Sequence, residues 1–223
     1  LAMMVCSMLT FLLMGIHPLA LSLFSETYAK DSIEGLLKSW RLIVTFFIFF
    51  TLPIYGFVFV NAQDLLVFVY GGEYSAAAVG LSLYLVFLTL EVICGGSFYA
   101  ETLFAMQKNR VVMHANIEGS LLNIILNIIL IPKYAELGAI TGTGLSIIYM
   151  VGRQMAALYA VIPIKVILVS TMKFFLLCLI PLTFSFLIAK LTEAHVLVNL
   201  GCYAFVFFKR KAAVIFSPHR PKQ

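Results

Sequence analysis

The sequence predicts an all-α polytopic membrane protein, a bundle of about seven transmembrane helices. Composition is the first observation: 62% of the 223 residues are hydrophobic and 11% are charged, whereas a soluble domain is usually about 45–50% apolar and about 25% charged. Second, the apolar residues fall in runs near or above the roughly 20 residues that cross a bilayer as a helix. Third, these runs lack the period-two alternation of membrane strands.

Six long apolar spans and one shorter span form the predicted bundle, which covers residues 1–208. Two prolines near span ends, Pro132 and Pro163, mark places where a helix should stop. The chain begins with Leu1 inside an apolar run that lacks the features of a signal peptide, so we expect a fragment that begins within a helix. The predicted spans are 1–24, 41–60, 76–98, 111–131, 137–160, 166–189 and, shorter, 196–208.

The distribution of positive charge orients the bundle. Twelve Lys and Arg residues lie in the first, third and fifth loops and in the C-terminal tail, against two in the other loops, with Lys173 left inside the sixth span. Cytoplasmic loops carry such an excess. The odd loops and the basic tail, 209–223, are therefore predicted to face the cytoplasm, and the protein is predicted to lie in the cell inner (cytoplasmic) membrane.

The first loop, residues 25–40, has an amphipathic pattern. Apolar and charged residues alternate at helical spacing, which predicts an amphipathic cytoplasmic segment lying on the membrane face. The apolar residues are Ile33, Leu36, Leu37 and Trp40, and the charged residues are Lys30, Asp31, Glu34 and Lys38.

The fourth span carries a stripe of polar side chains, which are costly in hydrocarbon unless they are paired. At 100° per residue the four members fall within roughly 60° of one another on the helix. They either hydrogen-bond to neighbouring helices or line a water-filled path for a polar substrate, and their spacing leaves both open. The members are Asn116, Ser120, Asn123 and Asn127, and the pair His114 and Glu118 lies near the opposite side.

Isolated ionisable residues inside other spans are further candidates. Glu91 in the third span is a candidate proton or cation site, with a neutral, hydrogen-bonded structural carboxyl as the alternative. Lys173 in the sixth span either reaches the cytoplasmic interface or contacts an anionic substrate. His17, just before Pro18, is interpreted as a packing residue, and orientation alone explains Arg153 at a helix end.

Small residues recur at the start of the fifth span. A small residue at every fourth position lets two membrane helices approach closely, so this face is predicted to pack against a neighbour. The residues are Gly138, Gly142 and Ser146, with Gly144 beside them.

The sequence lacks the residue patterns that are typical of several function classes. The sequence contains no Ser-His-Asp arrangement, no HExxH motif and no paired carboxylates poised for catalysis, so we expect no enzyme and no cofactor. The four cysteines lie inside apolar runs without metal-ligand spacing. The net charge is +5, but the Lys and Arg residues lie mostly between the spans, where they orient the chain. Nucleic acid is therefore not expected as a partner.

The order of several motifs resembles the C-terminal half of the polysaccharide and lipid-linked oligosaccharide flippases of the multidrug/oligosaccharidyl-lipid/polysaccharide (MOP) exporter superfamily. The resemblance covers about 17–160. The family turn usually carries Gly after Tyr, where this chain has Ala135, and the end of the chain matches no family pattern. The matching stretches are "HPLALSLFSE" (17–26), "LLVFVYGGEYSAAAVGLSLY" (65–84), "FYAETLFAMQKNR" (98–110) and "LLNIILNIILIPKYAELGAITGTGLS" (121–146).

The resemblance implies the C-terminal lobe of a MOP-type (MATE-like) transporter. Two bundles would rock around a central cavity that opens alternately to each side, and the N-terminal transporter half would come from upstream in the same gene. The implied partners are membrane lipids and a lipid-linked sugar whose pyrophosphate suits cationic side chains. Candidate cavity, substrate or coupling residues are Glu91, Asn116, Ser120, Asn123, Asn127 and Lys173.

Three alternatives stay open beside this interpretation. A multidrug or organic-cation antiporter of the same superfamily would share the fold and would need acidic residues in its cavity. A peptidoglycan-precursor flippase would differ only in substrate. A non-transporting membrane subunit or a gene fragment would need no cavity.

Overall fold

A computed structural model describes residues 15–159, and this part of the chain is almost entirely helical, without a β-strand. The all-α prediction is confirmed for these residues. The predicted spans 166–189 and 196–208, the tail and Lys173 lie outside them. The helices are α1 (Ile16–Val60), α2 (Ala62–Tyr70), α3 (Ala78–Ile93), α4 (Tyr99–Ala105) and α5 (Asn109–Tyr159), and two 3-10 turns cover Gly72–Ala77 and Gly96–Phe98.

The long helix α1 is a hairpin of two arms that reverses at Ser32, where the backbone leaves the helical region (φ 55°, ψ −134°). In a continuous helix, residues 17 and 47 would be about 45 Å apart, but the rings of His17 and Phe47 lie 6.1 Å apart. Residues 25–40 are divided by this reversal: 25–31 continue the first arm, and 33–40 begin the second. They do not form one separate amphipathic helix.

The longest helix, α5, is a second hairpin, and it reverses at Ala135 (φ 48°, ψ −121°). A side chain added at Gly119 would overlap that of Met150, which shows that the two arms lie side by side. The predicted turn between the fourth and fifth spans is therefore present, three residues beyond Pro132. Glycine is the residue that adopts this backbone conformation at least cost, so Ala135 is strained at this turn.

The third predicted span, 76–98, ends earlier than expected. Its helix α3 stops at Ile93, and Gly95 has a left-handed backbone (φ 72°) that terminates it. A side chain at Gly95 would also lie 2.8 Å from the Trp40 ring. Both constraints favour glycine here, so the chain turns sharply before α4.

The core lies between α1, α3 and α4. Aromatic rings fill much of it: Trp40 stacks on Tyr99, with ring centroids 6.3 Å apart and planes 9° from parallel, and Phe24 and Phe98 are fully buried. The Tyr99 hydroxyl donates a hydrogen bond to the carbonyl of Cys94, and burial raises the pKa of that hydroxyl. The phenol therefore stays protonated and ties α4 to the end of α3.

Small residues bring the second arm of α5 against its neighbours, as their spacing predicts. All four members, Gly138, Gly142, Gly144 and Ser146, are buried. A side chain at Gly144 would overlap the ring of Phe87 on α3. This close approach places α3 along the α5 hairpin.

Within residues 15–159, three helices are long and apolar enough to cross a membrane, namely α1, α5 and the stretch Gly72–Ile93. Large apolar side chains are exposed, with 69% of Ile128 and 71% of Phe68 accessible. Such exposure is costly in water and favourable in lipid. The described fold is therefore compatible with a membrane protein, whereas the count of seven crossings stays a prediction.

Candidate functional site

An ionisable cluster lies inside the apolar bundle, formed by one residue from each of three helices. His17 comes from the first arm of α1, Glu101 from α4 and Glu91 from the last turn of α3. The Nδ1 atom of His17 lies 2.7 Å from Oε1 of Glu101. Glu91 is close enough to both for electrostatic interaction. We call these three residues the His17 cluster.

Aromatic rings surround the His17 cluster. The imidazole stacks on Phe98, with ring centroids 5.0 Å apart, and Phe47 meets it edge-on. The side chains of His17 and Glu101 are 32% and 15% exposed. A charge in such an apolar setting is stabilised mainly by its direct partner, because solvent screening is weak there.

One oxygen of the cluster has no partner. Atom Oε2 of Glu101 is buried and accepts no hydrogen bond within residues 15–159. Buried carboxylate oxygens are normally satisfied, and an unpaired one calls for an explanation such as a proton or an ion. The cluster is therefore chemically suited to binding a proton.

The sequence identified only one member of this cluster. Glu91 was selected because it lies inside an apolar span, whereas His17 was interpreted as a packing residue and Glu101 was not selected. Glu101 lies in a short stretch after the third span, where a carboxylate is unremarkable. Only the fold reveals that it meets a histidine 84 positions away.

The polar stripe of the fourth span divides into two parts. Asn127 donates a hydrogen bond from Nδ2 to Oδ1 of Asn123 at 3.0 Å, and a side chain at Gly142 would lie 2.6 Å from Oδ1 of Asn127. These two asparagines are half-buried, and Asn127 faces the other arm of α5, whereas Asn116 and Ser120 are exposed.

The two arms of α5 are joined near their open end by an ion pair. Glu118 accepts hydrogen bonds from Nε of Arg153 at 2.8 Å and from the hydroxyl of Tyr149 at 2.9 Å. Arg153, which membrane orientation alone had explained, thus also has a structural partner. The contact links residues that a continuous helix would hold about 50 Å apart.

No group of three or more His, Cys, Asp or Glu side chains within residues 15–159 is arranged to hold a metal ion. Comparison with known protein families, with curated proteins and with solved structures finds no match to this chain.

Proposed function

We propose that this chain is one bundle of a membrane carrier that moves a lipid-linked oligosaccharide or polysaccharide precursor across the cytoplasmic membrane by alternating access. The substrate class rests on the order of sequence motifs over about 17–160. Two helical hairpins held by close contacts support a bundle that moves as a unit, which alternating access requires. The other bundle would come from an upstream transporter half.

The observation that carries the proposal is the His17 cluster. Ionisable residues inside membrane bundles usually mark ion pathways, proton relays or substrate sites, because their desolvation is otherwise unfavourable. Uptake of a proton by Glu101 or Glu91 would change the charge of the bundle interior. We propose that this change couples the transport cycle to an ion gradient.

The exposed part of the polar stripe is the proposed sugar-facing surface. Asn116 and Ser120 are exposed on the first arm of α5, where an upstream bundle could face them across a cavity. Asn123 and Asn127 instead support the packing interpretation, since Asn127 contacts the facing arm at Gly142. Lys173 stays a candidate for contact with the anionic part of the substrate.

A multidrug or organic-cation antiporter is the second candidate. It would need acidic residues within the bundle, and Glu91 and Glu101 meet that requirement. In that case the cluster would bind the organic cation itself, in exchange for protons or another cation.

The test is performed in a bacterial strain that lacks its own polysaccharide flippase. The chain is expressed with any in-frame upstream segment of its gene, and surface polysaccharide and drug resistance are both measured. We expect polysaccharide to return to the surface and Glu101→Gln to abolish that return. Glu34→Gln, which changes an exposed carboxylate, is the matched control and should have no effect.

Drug resistance that depends on Glu101, without surface polysaccharide, would favour the antiporter. Neither activity, at normal protein levels in the membrane, would favour a non-transporting subunit.

A further inference from the structure

A basic groove lies at the open end of the α5 hairpin, where the first arm begins and the second arm ends. Its volume is about 340 Å³, and residues from the start of the first arm and the end of the second arm line it. Three of them carry nitrogen-rich side chains and three are apolar: Arg110, His114 and Arg153, with Val111, Ala156 and Ala157.

The charge of this groove is positive. Arg153 is paired with Glu118, but Arg110 has no ion pair within residues 15–159, and its side chain is exposed. Guanidinium groups bind phosphate oxygens through two parallel hydrogen bonds. The groove therefore has the chemistry of a phosphate site, with one guanidinium uncommitted.

An apolar strip leads away from the groove along the same face of the first arm. At 100° per residue, five exposed apolar residues fall within about 60° of Arg110. Each of these side chains is at least half accessible. They are Met113 (52%), Ile117 (51%), Leu121 (55%), Ile124 (56%) and Ile128 (69%).

We infer that the groove binds the phosphate headgroup of an anionic phospholipid, whose acyl chains lie along this apolar strip. A free phosphate would use the cationic groove but not the strip below it. Basic pockets between membrane helices on the cytoplasmic side bind anionic headgroups, and the end of α5 that carries Arg110 is predicted to face the cytoplasm. This site is separate from the proposed transport function and does not depend on it.

The test uses the purified chain in a non-ionic detergent. Its thermal unfolding is followed with added phosphatidylglycerol, phosphatidylcholine or glycerol phosphate, and lipids that remain bound are counted by native mass spectrometry. Because a ligand that binds the folded state raises the Tm, phosphatidylglycerol should raise it and the other two should not. Arg110→Gln should weaken binding about tenfold, as expected for loss of a charged hydrogen-bonding partner.

Lys133→Gln is the matched control, because it removes one exposed positive charge at the opposite end of the same arm. It should leave lipid binding unchanged. Equal weakening by both variants would overturn the site and indicate general charge attraction. If glycerol phosphate raises the Tm as much as phosphatidylglycerol does, and Arg110→Gln abolishes that rise, the lipid proposal is wrong and the groove is a site for free phosphate. If Arg110→Gln unfolds more easily without lipid, the mass-spectrometric lipid count decides between these outcomes.

Discussion

The imidazole of His17 and the carboxylate of Glu101 lie 2.7 Å apart, although 84 positions separate the two residues in the chain. This contact joins the first arm of α1 to α4 within an apolar, aromatic setting. Each group offsets the cost of burying the other. The pair therefore serves the stability of the bundle as well as any ion coupling.

We expect His17→Leu to lower the Tm of the purified chain in detergent. The substitution leaves the mostly buried Glu101 carboxylate without its partner, and such an unsatisfied group costs about 1–3 kcal/mol. Replacing both residues together, His17→Leu with Glu101→Leu, should recover part of the loss, because the Glu101 carboxylate is then no longer left without its partner, while Glu91 stays in both variants. Losses that simply add in the double variant would contradict this pairing.

The reversal at Ala135 predicts a stabilising substitution. A non-glycine residue at this positive φ is strained, so Ala135→Gly should raise the free energy of unfolding by about 1 kcal/mol. Ala139→Gly, inside the second arm, is the control and should lower it by about 0.5–1 kcal/mol. Chemical unfolding in detergent measures both. A decrease for Ala135→Gly would mean that the turn has a different geometry.

The contact between Gly144 and Phe87 predicts an opposite pair of effects on one helix arm. Gly144→Ala should destabilise the chain by about 1–3 kcal/mol, since the new methyl group would overlap the Phe87 ring. Gly152→Ala, where nothing lies within 4 Å of the added atom, should stabilise the helix by about 0.5–1 kcal/mol. The measurement is the Tm of each variant. Similar shifts for both would show that α3 does not pack at Gly144.

The ion pair between Glu118 and Arg153 predicts recovery by charge exchange. Glu118→Arg should lower the Tm, because it sets two positive side chains against each other across the arms of α5. Adding Arg153→Glu should restore part of the loss by reversing the pair. The control is Glu136→Arg, which changes an exposed carboxylate that has no ion pair within the described part of the chain, and its Tm should stay close to the original value.

If the charge-exchanged variant recovers as much Tm in high salt as in low salt, the contact between the two side chains is not electrostatic. Surface ion pairs weaken as ionic strength rises, so the recovery should diminish with added salt.

Composition and run length predicted correctly that the described residues are helical, and the spacing of small residues predicted the close packing of the second arm of α5. Helices occur where the long apolar runs are, and the chain reverses at Ala135, between the predicted fourth and fifth spans. These features are local, because each depends on residues within a few turns of one another. Helix α3 ends at Ile93, five residues before the predicted end of the third span, and neither the left-handed backbone of Gly95 nor its contact with the distant Trp40 follows from the apolar run.

The sequence by itself determined that the described chain is helical and apolar enough for a membrane, because composition and run length decide both. Only the tertiary structure decided that His17 meets Glu101, that Asn127 faces Gly142 and that Arg110 shares a groove with Arg153. Each of these contacts joins different helices or the two arms of a hairpin. Their formation depends on where the chain reverses and how closely the helices pack. The sequence pattern of a single helix predicts neither.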